Sequence, residues 1–130
     1  FRYALLPHGG GWDERTVAAA YAFNDPCLFT PLNGRPNQGQ FSLVSVDQPN
    51  VVIETIKQAE DGNGLIVRLY ESQRSRGPVT LRTGFDLASA SSTDLLEHDR
   101  SNLKNSAREV YFDLLPYQIL TLRLVPTANN

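Results

Sequence analysis

The sequence predicts an all-β fold, a small antiparallel β-sandwich of immunoglobulin-like type, carrying an N-terminal strand–helix extension. Three observations predict it. From Phe41 onward, apolar residues recur with period two in short runs. Clusters of Gly, Pro, Asn and Asp separate those runs at intervals of about 8–12 residues. No stretch of convincing helical length interrupts them, which argues against a parallel α/β sheet.

Taken in order, residues 1–7 read as a strand that stops at Pro7. His8-Gly9-Gly10-Gly11 follows as a loop, because three glycines remove any preference for regular structure. Asp13 can cap a helix over residues 14–23, where Val17, Ala20, Tyr21 and Asn24 fall at helical spacing. Asn24-Asp25-Pro26 ends it. Residues 30–40 form a turn-rich connection, so residues 1–38 and 41–126 separate into an extension and a sandwich. Six strands are expected, over residues 41–46, 51–59, 65–72, 79–85, 109–115 and 118–125. Glu60-Asp61-Gly62-Asn63-Gly64 is the clearest turn. Leu65, Val67 and Leu69 share one face of their strand, and Arg68 and Tyr70 the other. Residues 86–105 read as polar and irregular, with a short apolar insertion at Leu95-Leu96. Residues 127–130 are expected to fray.

Composition bounds the function classes. The chain has 130 residues, 41% hydrophobic and 20% charged, which is ordinary for a globular domain able to bury a core. Its formal charge of -2 gives no electrostatic reason to expect nucleic acid or an anionic membrane as partner. No apolar run approaches the roughly 20 residues that span a bilayer. A single cysteine, Cys27, cannot form an internal disulfide, which excludes a disulfide scaffold and favours a reducing, cytoplasmic setting. The lack of methionine and the apolar start at Phe1 read as a cut inside a longer polypeptide.

Three segments resemble the C-terminal region of glycoside hydrolase family 38 α-mannosidases. The first is Tyr3-Ala4-Leu5-Leu6-Pro7-His8, with Trp12 after the glycines and a helix leading to Phe23-Asn24. The second runs from Asn50 through Val51-Val52-Ile53-Glu54-Thr55-Ile56-Lys57-Gln58-Ala59-Glu60-Asp61 to Gly64-Leu65-Ile66-Val67-Arg68-Leu69-Tyr70-Glu71. The third joins Asp94-Leu95-Leu96-Glu97 to Leu115-Pro116-Tyr117-Gln118-Ile119-Leu120-Thr121-Leu122-Arg123-Leu124. The resemblance implies a parent that is a zinc-dependent retaining α-mannosidase acting on terminal α-mannosyl residues. It places the catalytic aspartate and the zinc ligands upstream. It implies that residues 1–38 end the preceding larger β-domain and that the other domains of the parent are partners. No zinc or nucleophile motif of the family has a counterpart here, so the isolated chain is expected to hold no cofactor and to be non-catalytic.

Glu54 and Glu71 fall in adjacent predicted strands, and retaining glycosidases place two carboxylates about 5–5.5 Å apart. The plainer reading pairs them with Lys57, Arg68 or backbone groups to fix the sheet. His8, His98 and Cys27 lack the spacing of a zinc site. His8 instead suits a hydrogen bond to its glycine loop or a domain interface. No Gly-X-Ser-X-Gly elbow or phosphate loop occurs. Exposed aromatics are the usual platforms for sugars, and Trp12, Tyr70, Tyr111 and Tyr117 are the candidates for a mannose-containing glycan. Trp12, in a loop, is the first among them, although packing on Val17 or Tyr21 would also explain it. Arg68, Tyr70 and Glu71 are the candidate interface residues.

Overall fold

The computed structural model describes residues 1–31 and 39–128. The chain divides into two compact units, Phe1–Gly39 and Gln40–Asn130. Most of the turn-rich connection expected over 30–40 lies outside the described residues.

The first unit is built on one helix, α1, Glu14–Asn24. Asp13 caps it through a reciprocal pair: its carboxylate accepts from the Arg15 and Thr16 N–H groups at 3.1 Å each, and the Thr16 hydroxyl accepts from the Asp13 N–H at 3.3 Å. Those bonds satisfy donors that the first helical turn leaves without intrahelical partners. The helix buries no residue. Residues 1–7, expected to be a strand, carry no ladder among the described residues. Alternation of side chains fits a strand, but a strand forms only where a second backbone completes its hydrogen bonds.

Among the described residues, the second unit holds nine strands in two antiparallel sheets. They are β1 Val44–Val46, β2 Val51–Gln58, β3 Leu65–Glu71, β4 Gly77–Thr83, β5 Leu87–Thr93, β6 Asp99–Asn102, β7 Lys104–Asn105, β8 Glu109–Leu114 and β9 Ile119–Pro126. One sheet has the order β1-β4-β8-β7 and the other β2-β3-β9-β5-β6. The chain is an all-β sandwich. Its core lies between the sheets, with Val67, Leu69, Leu81, Val110, Leu122 and Leu124 each fully buried. The alternation Leu122-Arg123-Leu124 shows why: period two sends both leucines inward and Arg123 to the opposite face.

The structure corrects the sequence reading at two places, residues 86–105 and residues 1–7. Residues 86–105 contain β5, β6 and β7 rather than irregular chain. Residues 1–7 lack the ladder already noted. The Thr127 N–H and hydroxyl both donate to the Asp86 carbonyl, at 2.8 and 3.3 Å. The turn at 60–64 forms as read, with Gly62 and Gly64 at positive φ of 75° and 92°. A Cβ at Gly64 would stand 2.4 Å from the Leu124 carbonyl oxygen, so the turn needs glycine for space as well as for backbone conformation.

Candidate functional site

The strongest polar cluster at one end of the sandwich forms around Glu71, the last residue of β3. Its side chain is 2% exposed. Oε1 accepts from Asn50 Nδ2 at 2.8 Å and from the Gln73 N–H at 2.7 Å, and Oε2 accepts from the Tyr117 N–H at 2.9 Å. Burial pushes the carboxyl pKa upward, but the donors from Tyr117, Asn50, Gln73 and Ser75 outweigh it and hold the group down at about 2. The carboxylate therefore stays charged and its lone pairs are occupied by donors from three connections. Tyr117, with φ at 59°, is kept in the left-handed region by this bond and by its turn. A cavity of about 130 Å³ adjoins the cluster, lined in part by Asn50, Glu71, Ser75 and Arg76.

Glu54 is far from sharing that chemistry. It sits at the β2 bulge between Ile53 and Thr55, exposed, and its carboxylate accepts from the Thr55 hydroxyl. The register sets Glu71 opposite Val51, three residues away along β2. Lys57 and Arg68, proposed as partners of these acids, turn elsewhere. Lys57 pairs with Glu60 and, at 2.7 Å, with Glu97. Arg68 Nε donates to the Thr121 hydroxyl at 3.3 Å.

A second cluster covers the outer face of the five-stranded sheet. Arg123, 6% exposed, donates from one terminal nitrogen to both Asp61 oxygens, at 2.8 and 2.9 Å, and to the Asn63 carbonyl at 3.0 Å. Its other terminal nitrogen donates to the Glu97 carbonyl at 2.9 Å. Nε lies 3.4 Å from Asp99, an ion pair without hydrogen-bond geometry. The Glu97 carboxylate reaches the Lys57 ammonium and also accepts from the Glu60 N–H at 2.8 Å, which lowers its pKa. One arginine thus fastens the β2–β3 turn and the β5–β6 turn to the same sheet face. Sequence reading did not single out Arg123; an arginine between two core leucines was its signal.

The β5–β6 turn is itself braced. Asp94 Oδ1 accepts from the Leu96 and His98 N–H groups at 2.9 and 3.0 Å, while Oδ2 meets Arg100 at 3.0 Å and the His98 ring at 3.3 Å. The Glu97 N–H donates to the Asp94 carbonyl at 3.1 Å with Glu97 at φ 67°. The tip carries Leu95 and Leu96, 68% and 76% exposed.

The aromatic candidates are dispersed. Trp12 is 57% exposed, directly before the Asp13 cap. Tyr70 lies on the outer sheet face opposite Ile119. Tyr111 donates to Glu109 at 2.6 Å, and Tyr117 is 57% exposed. His8 borders a surface depression of about 350 Å³ with Leu6, Asp13, Arg15 and Thr16. Among the described residues, no group of three His, Cys, Asp or Glu side chains converges as a metal site.

The model of the glycosyl hydrolases family 38 C-terminal beta sandwich domain matches residues 50–122, which hold the whole Glu71 cluster and strands β2 to β8. The chain belongs to this family. Alpha-mannosidase 2C1 of Mus musculus is 37% identical over 131 residues, and its Homo sapiens counterpart 35% over 133 residues; each alignment covers 96% of this chain. An alpha-mannosidase of Saccharomyces cerevisiae is 26% identical over 148 residues, covering 95%. The chain spans only 13% of the length of each of these relatives. Within family 38, then, it corresponds to the C-terminal sandwich rather than to a whole glycosidase.

Proposed function

We propose that this chain is a non-catalytic accessory domain of a longer α-mannosidase that hydrolyses terminal α-mannosyl residues of oligosaccharides. Its work is to brace the other domains of that protein. The observation that carries this reading is the state of its buried acid. Glu71 is held charged by donors on three connections, so it can neither give a proton at neutral pH nor reach a substrate. A carboxylate in that condition ties loops together; it does not turn over a glycoside.

In this reading residues 1–38 complete a larger β-domain that precedes the sandwich. Phe1, Tyr3 and Leu5 are 115%, 82% and 91% exposed, a period-two apolar stripe that suits a strand whose sheet lies elsewhere in the polypeptide. In this reading zinc belongs to the catalytic part of the longer protein. A cytoplasmic setting agrees with Cys27, an exposed free thiol. Arg68, Tyr70 and the braced turns are the parts that support an interface.

The test is turnover of an aryl α-mannoside. The 130-residue chain alone should give no turnover, and the longer protein should keep its kcat when Glu54→Gln is introduced. Turnover by the chain alone would overturn the proposal. Trp12 favours a second reading, a mannose-containing glycan stacked on its exposed ring. Calorimetric titration with mannosides separates the two, because bracing alone predicts no binding heat and no effect of Trp12→Ala.

A further inference from the structure

We propose that the outer face of the five-stranded sheet, where Tyr70 and Ile119 lie beside the Leu95-Leu96 turn, is the surface that docks onto the part of the polypeptide outside this chain. This rests on the accessory-domain reading and names the face that does the bracing. The register builds the surface. Tyr70 stands opposite Ile119, and Thr93 stands opposite Thr121, two residues further along β9. The chain leaving β5 at Thr93 therefore runs toward the level of Ile119 before it turns back. Ile119 is 63% exposed, Leu95 68% and Leu96 76%.

A lone exposed leucine needs no explanation. Here the leucines cap a turn that is fixed in place. Asp94 accepts from two backbone N–H groups and pairs with Arg100, Glu97 holds a left-handed backbone, and the Glu97 side chain and carbonyl are anchored by Lys57, Glu60 and Arg123. Polar bonds order the loop while leaving its apolar tip in water. An apolar anchor that is already rigid loses little conformational entropy when it enters a pocket. The folding of this sandwich gains nothing from presenting it.

The occupant follows from size. Three apolar side chains fall well short of the roughly 1,200 Å² that a stable interface between separate molecules buries. A tethered partner needs much less, because the linker supplies a high effective concentration. This chain spans 13% of its relatives, so the tethered partner is the remaining polypeptide, and its matching surface is an apolar groove.

The experiment places a cysteine at Leu96→Cys or, as reference, at Ile56→Cys in the full-length protein with Cys27→Ser, and measures thiol labelling by a maleimide. Ile56 is 40% exposed on the edge strand β2 and lies off this surface. Labelling at position 96 should be at least about tenfold slower than at position 56, and the two should match in denaturant. Equal rates overturn the assignment: fast at both leaves this face uncovered while the accessory reading stands on its own turnover test, and slow at both means that the contact is not confined to this face. As a second arm, Leu95→Ser with Leu96→Ser should lower the melting temperature of the full-length protein, with its mass in sedimentation unchanged. A shift from dimer to monomer would instead make this a contact between copies and refute the proposal.

Discussion

The two units of this chain hold similar apolar content and treat it in opposite ways. In Gln40–Asn130 the apolar residues of β3, β4, β8 and β9 close into a core in which Val67, Leu69, Leu81, Val110, Leu122 and Leu124 have no contact with water. In Phe1–Gly39 the helix buries nothing, and Phe1, Tyr3, Leu5, Leu28 and Phe29 are each more than 80% exposed. A helix cap and three glycines give the first unit local shape, but local shape without burial supplies no cooperative stability. The difference shows where the stability of the chain resides: in the enclosed core of the sandwich, not in the first unit.

Substitutions in the core should break the comparison most severely. Leu122→Ala removes a side chain enclosed on all sides and should cost about 3–4 kcal/mol in urea unfolding of the sandwich. Gly64→Ala should cost about 3 kcal/mol, since its methyl meets the Leu124 carbonyl and the residue holds positive φ. Leu5→Ala in the same chain should leave the sandwich transition where it is. A comparable loss from Leu5→Ala would show that the first unit shares the core's stability.

Next in size is Glu71→Gln. The amide cannot accept from every donor that the carboxylate satisfies, leaving buried N–H groups unmet at about 2–3 kcal/mol. The pH dependence carries the same signature. The folded pKa, about 2, lies below the ordinary 4.5, so this stabilisation is fully present above about pH 4.5 and is lost as pH falls toward 2. The native chain should weaken across that window, and the variant should weaken less. Equal acid sensitivity in both would remove Glu71 from the role given to it.

The legible part of this fold was the part where side chains alternate strongly. Leu65-Ile66-Val67-Arg68-Leu69 and Leu120-Thr121-Leu122-Arg123-Leu124 announce strands because one face must leave water. Residues 87–93 did not, being Leu-Ala-Ser-Ala-Ser-Ser-Thr, small on both faces. Ser91 and Thr93 are nevertheless buried on the outer face shared with Arg123, which no local pattern encodes. Residues 1–7 failed in the opposite sense, showing strand alternation with no ladder among the described residues. For the clusters, Glu71 stood out as one of two acids in adjacent strands, but its partners Asn50, Gln73 and Tyr117 come from three separate turns. Backbone donors leave no mark in a sequence. Asp94 was more readable, because Asp followed by the N–H groups two and four residues on is a local turn device.

The smallest expected effect tests the first unit alone. Asp13→Ala removes the acceptor for the Arg15 and Thr16 N–H groups and the ion pair with Arg15, which together hold the Asp13 carboxyl at about 2. The causes are local: the Arg15 side chain first, then the Thr16 N–H. Losing them should reduce the helical signal at 222 nm that α1 contributes, as cap removal does in other helices. The sandwich transition should not move, since every bond lost belongs to residues 13–16. Should the sandwich melt earlier as well, the two units would be energetically coupled within this chain, and the reliance of residues 1–31 on an outside partner would lose its main support.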